Sequence, residues 1–330
     1  MFRKGRETLN LENAGGELEE AQAEITTLRQ TLESKEREIS RLKQSESSTH
    51  NGNVRAENII WMFGSGRTGS NWLISMMGDS ADCARWEEPM IGSLFGFYYS
   101  NPGQHGNKHF IMSQDYKETW MRSVRSFVLE GASARFPEVG AEGNVVIREP
   151  TSSNGAPLLM EALPESRMIF LIRDPRDVVA SSLAGSQKGG WLYERHSQSN
   201  RASHYAEADN NPDAFVKKRA NMYLQHITGA KHAHDAHDGY KTLVKYEDLR
   251  EDPLATMRRM YTDLQVPVDE EILSRTVEKH SWERIPEDRK GEGKFRRKAI
   301  PGGWREDLTP KQVDIVEAKT ASLLEEFYPA

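Results

Sequence analysis

Four short apolar runs, ENIIWMF, NVVIREP, RMIFLIRD and YKTLVKYED, lie between residues 57 and 248 and constrain the fold most tightly. Helical patterns such as NWLISMMG and DVVASSLAG separate them. Strands alternating with helices imply crossover connections and a parallel sheet covered on both faces. The reading is therefore an α/β fold of three layers with a central parallel sheet. Ligands on such sheets bind beyond the carboxyl ends of the strands, where three of the motifs below begin. The chain has 330 residues, enough for one large domain or two smaller ones.

Residues 1–50 read differently. Leu11, Leu18, Ile25, Leu32 and Ile39 recur every seven residues, with Leu28 and Leu42 on the adjoining line. A seven-residue repeat keeps one helical stripe closed when helices supercoil. Ala14, Ala21 and Lys35 weaken the second line of the seam. The pattern predicts an N-terminal coiled-coil helix over about 15–44 that joins two subunits as a homodimer. A single amphipathic helix is the alternative. SESSTHNGNVRAEN reads as a linker, so the division is 1–50 for the helix and 51–330 for a catalytic domain that becomes globular near residue 55.

Composition narrows the partners. The formal charge is −6 and 28% of residues are charged, with a mean hydropathy of −0.72. No global positive field gathers nucleic acid, and no apolar run is long enough to span a membrane. The segment MFRKGRETLNLENAGG lacks the apolar core of a secretory signal. A single cysteine, Cys83, excludes an internal disulfide framework and a cysteine-rich zinc site. Cytoplasmic residence is the expectation.

The strand Ile59–Phe63 runs into Gly64-Ser65-Gly66-Arg67-Thr68-Gly69-Ser70-Asn71-Trp72. Glycines allow the backbone to pass close to a ligand, and the following helix offers N–H groups to an anion. Arg67 can grip phosphate oxygens in a fork, while Thr68, Ser70 and Asn71 supply further donors. The lysine and magnesium-binding hydroxyl of an ATP-binding loop are out of register here. A second strand, Met168–Ile172, ends in Arg173-Asp174-Pro175-Arg176-Asp177, with Ser181 eight residues after Arg173.

The first of these segments resembles the 5′-phosphosulfate loop of the sulfotransferases that use PAPS, 3′-phosphoadenosine 5′-phosphosulfate. On that resemblance Gly66, Arg67, Thr68, Gly69, Ser70, Asn71 and Trp72 bind the donor, with Asn71 departing from the family pattern. The second segment resembles the family's 3′-phosphate motif, matched by Arg173 and Ser181. A third, from Phe295 to Trp304, resembles the closing loop of the family. Arg297, Lys298, Gly302 and Trp304 match, and Ala299 replaces the first glycine. The resemblance gives Arg297 and Lys298 to the 3′-phosphate and Phe295 to the adenine. Tyr246-Glu247-Asp248-Leu249 is similar to the strand and turn beside the base, so Tyr246 is a candidate contact. The resemblance implies a P-loop-like sulfotransferase domain that releases PAP and requires no metal.

Sulfuryl transfer needs a base for the acceptor proton and fixed positive charge at the sulfuryl oxygens. Val146-Ile147-Arg148-Glu149-Pro150 has no histidine where some members of the family keep their base, and Arg148 fits the sulfuryl-holding residue. The segment Arg85-Trp86-Glu87-Glu88-Pro89 is similar to the glutamate-base branches that modify carbohydrates and protein tyrosines. Glu88 is the expected base and Glu87 the reserve, with His109 a more distant substitute. His232, His234 and His237 read as a solvated surface rather than a metal cluster. The expected acceptor is a small molecule or glycan, favouring a carbohydrate hydroxyl, with an amine, a tyrosine or a small phenol as alternatives. Residues 86–136 and 185–225 are the expected acceptor walls. An atypical kinase and a non-catalytic coiled-coil scaffold are the competing classes.

Overall fold

The computed structural model describes residues 25–32, 34–35, 53–81, 83–140, 142–196 and 202–329. The chain divides into two units, Met1–Asn51 and Gly52–Ala330. In the first, residues 25–32 form a helix (α1) whose Ile25, Leu28 and Leu32 are exposed. The rest of the heptad pattern, Leu11, Leu18, Ile39 and Leu42 included, lies outside the described residues.

The second unit begins with β1 (Ile59–Phe63), α2 (Ser70–Ser80), β2 (Ala84–Glu87), α3 (Ile91–Ser100), α4 (Lys117–Arg135) and β3 (Val145–Arg148). It continues with α5 (Ala156–Ala162), β4 (Arg167–Ile172), α6 (Pro175–Ser186), α7 (Trp191–His196), α8 (Ala202–Asn210), α9 (Pro212–Ala236) and β5 (Lys241–Lys245). Five helices close it: α10 (Tyr246–Glu251), α11 (Pro253–Asp263), α12 (Glu270–Lys279), α13 (Trp304–Asp307) and α14 (Pro310–Phe327).

The sheet order is β2-β3-β1-β4-β5 and every pair is parallel. Alternation along the strands separates two cores. Ile59, Trp61, Phe63, Ile147, Met168 and Phe170 face one way, towards α4, α5, α9 and α14. Ile60, Met62, Val146, Ile169, Leu171 and Val244 face the other, towards α2, α11 and α12. A parallel sheet buried on both faces needs such continuous apolar strands, and β1 has no exposed residue. From β1 the chain runs to β2 at one edge, returns to β3 and crosses over β1 to β4 on its other side, so the strand order reverses around β1 and a ligand crevice opens at its carboxyl end. Among the described residues no helix is long and apolar enough to cross a membrane.

Candidate active site

The turn after β1 is shaped by contact with its neighbours. A Cβ at Gly64 would lie 2.3 Å from the carbonyl oxygen of Leu171, so only glycine lets the chain cross β4 there. Gly64 N–H donates to Ser153 Oγ at 2.9 Å. Gly69 has φ 93°, and a Cβ on it would meet the Tyr246 ring at 2.6 Å. Arg67 takes the left-handed conformation at φ 73° without being glycine, which costs about 1–3 kcal/mol and persists only when neighbours enforce it.

Those neighbours are visible. Arg67 Nε donates to Ser181 Oγ at 3.1 Å and Nη2 to the carbonyl of Phe295 at 3.0 Å. Its guanidinium lies 4.6 Å from the Phe295 ring centre and 5.1 Å from that of Trp191. Arg67, Arg173, Ser181, Tyr246, Arg297 and Lys298 all line one cavity of about 310 Å³. Ser70, Asn71 and Trp72 line it too, at the N-terminus of α2, where backbone N–H groups lack intrahelical acceptors. Burial pushes the Arg67 pKa down to about 10, with the charges of Arg173, Arg219 and Arg297 adding to the effect. Such crowding of guanidinium groups favours an anionic ligand.

Arg173 sits at the end of β4. Tyr223 Oη donates to its carbonyl at 2.6 Å, and its guanidinium stacks 4.2 Å from the centre of the Tyr246 ring. The Nε atoms of Arg173 and Arg250 are buried with no hydrogen-bond partner among the described residues, and both side chains line the cavity. Asp174 caps α6 by accepting from Arg176 N–H at 2.8 Å, with Pro175 at the first helical position. Asp177 is buried and accepts from Gly302 N–H at 2.8 Å and Trp304 N–H at 3.0 Å. It thereby ties the far loop to the start of α6.

That loop carries the third motif. Ala299 has φ 54°, so the residue in place of the expected glycine adopts a conformation that glycine favours. Arg297 and Lys298 are paired with acids of their own segment. Arg297 Nη1 donates to Asp307 Oδ1 at 2.9 Å and Nη2 to Asp307 Oδ2. Lys298 Nζ donates to Asp307 Oδ1 and Glu306 Oε2, both at 2.9 Å. Phe295 stacks on Arg67 and meets Trp191 edge-on, with ring centres 4.8 Å apart. Trp72 and Tyr246 instead meet each other, with ring centres 6.5 Å apart.

The carboxylates stand beside the cavity rather than in its wall. Pairing of β2 with β3 sets Glu87 opposite Arg148. Arg148 is buried; its Nη1 donates to Glu88 Oε1 at 2.9 Å and to Ser70 Oγ at 3.2 Å, and Nη2 to Glu87 Oε2 at 3.2 Å. Glu88 has φ 51° and Met90 φ 66°, so the chain turns sharply before α3. Ser70 is the one residue of this group that also lines the cavity.

Several expectations change. Thr68 is fully buried and donates to the Ser65 carbonyl at 2.7 Å; its hydroxyl closes the turn and does not face the cavity. Gly66 likewise lies outside the cavity wall. His232 and His234 lie within α9 and His237 caps it. His237 is buried, and burial lowers its pKa, so the solvated-surface reading fails there; the last turns of α9 pack against β4, where His234 meets the Phe170 ring. His105 stacks on Tyr98 at 3.8 Å, and His109 is exposed. Among the described residues no group of three or more His, Cys, Asp and Glu side chains is arranged to hold a metal ion.

Sequence reading missed Arg250, Trp282 and Arg289 in the cavity wall, and it missed Glu149. Glu149 is fully buried, and its Oε1 accepts from Ile91 N–H at 2.7 Å at the start of α3. The signal was present: Glu149-Pro150 repeats the Glu88-Pro89 pair, and Arg250 follows Tyr246 by one helical turn.

A model of the sulfotransferase family matches residues 60–270, from β1 to the start of α12. A search of curated protein sequences finds no match. Among solved structures, mouse sulfotransferase SULT7A1 complexed with PAP is similar in fold. The likeness covers 85% of this chain and 92% of the mouse chain, with 14% identity and a TM-score of 0.50. Sulfotransferase STF9 from Mycobacterium avium is aligned over 84% of this chain and 78% of its own, with 14% identity and a TM-score of 0.48.

Proposed function

The chain belongs to the sulfotransferase family, and on that premise we propose that it moves a sulfuryl group from PAPS to an acceptor hydroxyl, releasing PAP. One observation carries the choice of donor. Arg67, Arg173, Ser181, Arg297 and Lys298, spread from position 67 to position 298, line a single cavity. A nucleotide with phosphates at both ends fits a site with basic groups from three separate segments.

The donor supplies the sulfuryl group and a phosphate leaving group. Arg67, Ser70 and Asn71, with the first N–H groups of α2, hold the 5′ end. Arg173, Ser181, Arg297 and Lys298 hold the 3′-phosphate, and Phe295 and Tyr246 contact the base, with Trp72 beside Tyr246. Glu88 takes the proton of the acceptor hydroxyl as its oxygen bonds to sulfur and the bond from sulfur to the phosphate oxygen breaks. Arg148 neutralises oxygen charge at the transfer point and orients Glu88; Glu87 shares the same guanidinium and is the reserve base. A carbohydrate or glycoconjugate hydroxyl is the favoured acceptor because the carboxylate pair follows the glutamate-base pattern. A tyrosine or small phenol is the second reading, favoured by the exposed apolar side chains of Met90, Leu94 and Phe97 in the turn and helix that follow Glu88.

Two further parts of the proposal rest on the sequence. The heptads support a homodimer through about 15–44, which sedimentation of the full chain and of residues 51–330 distinguishes. The lone Cys83, buried and in no disulfide, suits a reducing cytoplasm. The decisive test is calorimetric titration with PAP, ADP and ATP. Micromolar PAP binding without magnesium, and much weaker ADP and ATP binding, is expected; preference for magnesium-ATP overturns the assignment. Labelled donor then screens glycans against phenols.

A further inference from the structure

Arg297 and Lys298 line the cavity with their charges already paired to carboxylates. Both terminal nitrogens of Arg297 engage the two oxygens of Asp307, and Lys298 Nζ bonds Asp307 Oδ1 as well. A carboxylate set two-pronged on a guanidinium uses the geometry with which phosphate oxygens would approach it. The Asp307 side chain is 14% exposed and lines the same cavity as Arg67 and Arg173. Burial by itself raises its pKa, but the bonds from Arg297 and Lys298 more than offset this and hold it below the ordinary carboxylate value. It is therefore an anion at neutral pH.

We infer that Asp307 competes with the 3′-phosphate of the nucleotide for Arg297 and Lys298, and so sets how tightly the spent PAP is held. The inference rests on the donor reading above. A 3′-phosphate brings more negative charge than one carboxylate and has Arg173 and Ser181 as additional partners, so it wins the contest at a cost. When PAP leaves, Asp307 regains both cations, so neither is left unpaired. The loop's position does not depend on this pair: Asp177 holds Gly302 N–H and Trp304 N–H independently. Removing the Asp307 charge thus frees the two cations without releasing the segment that carries them.

The test compares PAP with AMP, which lacks the 3′-phosphate, on the full chain and on Asp307→Asn, with Asp307→Ser as the second variant should the first not fold. Expected are ~5–20-fold tighter PAP binding, a matching slowing of PAP dissociation in stopped flow, and AMP affinity unchanged within about twofold. Glu306→Gln, which leaves the Asp307 pairs intact, changes PAP affinity by less than about twofold. PAP binding that is unchanged or weaker in the Asp307 variants, or AMP binding that tightens equally, overturns the inference. Failure of the unaltered chain to bind PAP overturns the donor reading instead.

Discussion

Ser70 Oγ accepts a hydrogen bond from Arg148 Nη1 at 3.2 Å, and the same nitrogen donates to Glu88 at 2.9 Å. One guanidinium thus joins the wall of the nucleotide cavity to the two glutamates outside it. Glu88→Gln keeps the side chain's shape and an acceptor for Arg148 but cannot take a proton. A general base typically contributes 10²–10⁴-fold, so kcat is expected to fall by roughly that factor while PAP affinity stays within about twofold. Glu87→Gln is expected to cost about tenfold or less in kcat. Steady-state rates beside PAP calorimetry decide it; the reverse ranking assigns the base to Glu87.

Arg67 makes two side-chain hydrogen bonds and lies against two aromatic rings at once. A lysine keeps the charge but has no planar fork to fill both roles. Arg67→Lys is expected to weaken PAP binding by ~10–100-fold, the loss of one or two bonds to a charged group. The circular dichroism spectrum should be unchanged. Equal PAP affinity in this variant would place the 5′ anion elsewhere.

Three of the five strands, β1, β3 and β4, were legible because they are buried on both faces and read as nearly unbroken apolar runs; β5, at one sheet edge, alternates in burial and was legible from Leu243 and Val244 between its lysines. The fifth, β2, is Ala-Arg-Trp-Glu at the sheet edge, with alternate residues exposed, and four residues of half-polar alternation leave no run to detect. Arg67, Arg173 and Ser181 were legible from their distance to strand ends. The direction of the Thr68 hydroxyl was not legible, because composition does not tell which way a hydroxyl points; here it turns back onto Ser65. Asp307 escaped notice because an acid in Trp-Arg-Glu-Asp resembles any solvated helix end until the fold brings it onto Arg297.

Glu149 makes stability depend on pH. Burial is the main cause that pushes its pKa up to about 7, against the bonds from Ile91 and Ser152. A carboxyl raised in the folded state binds its proton more tightly there than in the unfolded chain. Its contribution is fully present below about 4.5 and is lost as pH rises through about 7. The span corresponds to on the order of 3 kcal/mol. Glu149→Gln, neutral throughout, is expected to flatten this part of the profile and to melt higher than the parent at pH 8–9. Thermal melts from pH 5 to 9 with parallel slopes for both proteins contradict the assignment.

Ala299 holds φ 54° where the resemblance led one to expect glycine. A left-handed alanine costs about 1–2 kcal/mol relative to glycine, and glycine's greater freedom in the unfolded chain returns about 0.4–1 kcal/mol of that. Ala299→Gly is therefore expected to stabilise the domain by up to about 1.5 kcal/mol, without loss of PAP affinity. Chemical denaturation measures it, and destabilisation would mean that the Ala299 methyl packs usefully in the loop.

Asp177 is the only side chain seen to hold both Gly302 and Trp304 N–H groups among the described residues, and it also lies 3.6 Å from Arg173. Asp177→Ala removes both anchors at once and leaves Arg173 with one anion fewer. The segment from Arg289 to Lys298 is rich in trypsin sites, so loosening it has a direct readout. Cleavage there is expected to accelerate about tenfold or more, as about 1.4 kcal/mol of anchoring is lost. PAP should slow cleavage in the parent protein by bridging Arg173 to Arg297. In Asp177→Ala the protection should need several-fold more PAP, because ligand binding must now also order the loop. Identical cleavage rates for the two proteins would show that the loop is held by its other contacts, Trp304 against Arg176 among them, and that Asp177 serves Arg173 alone.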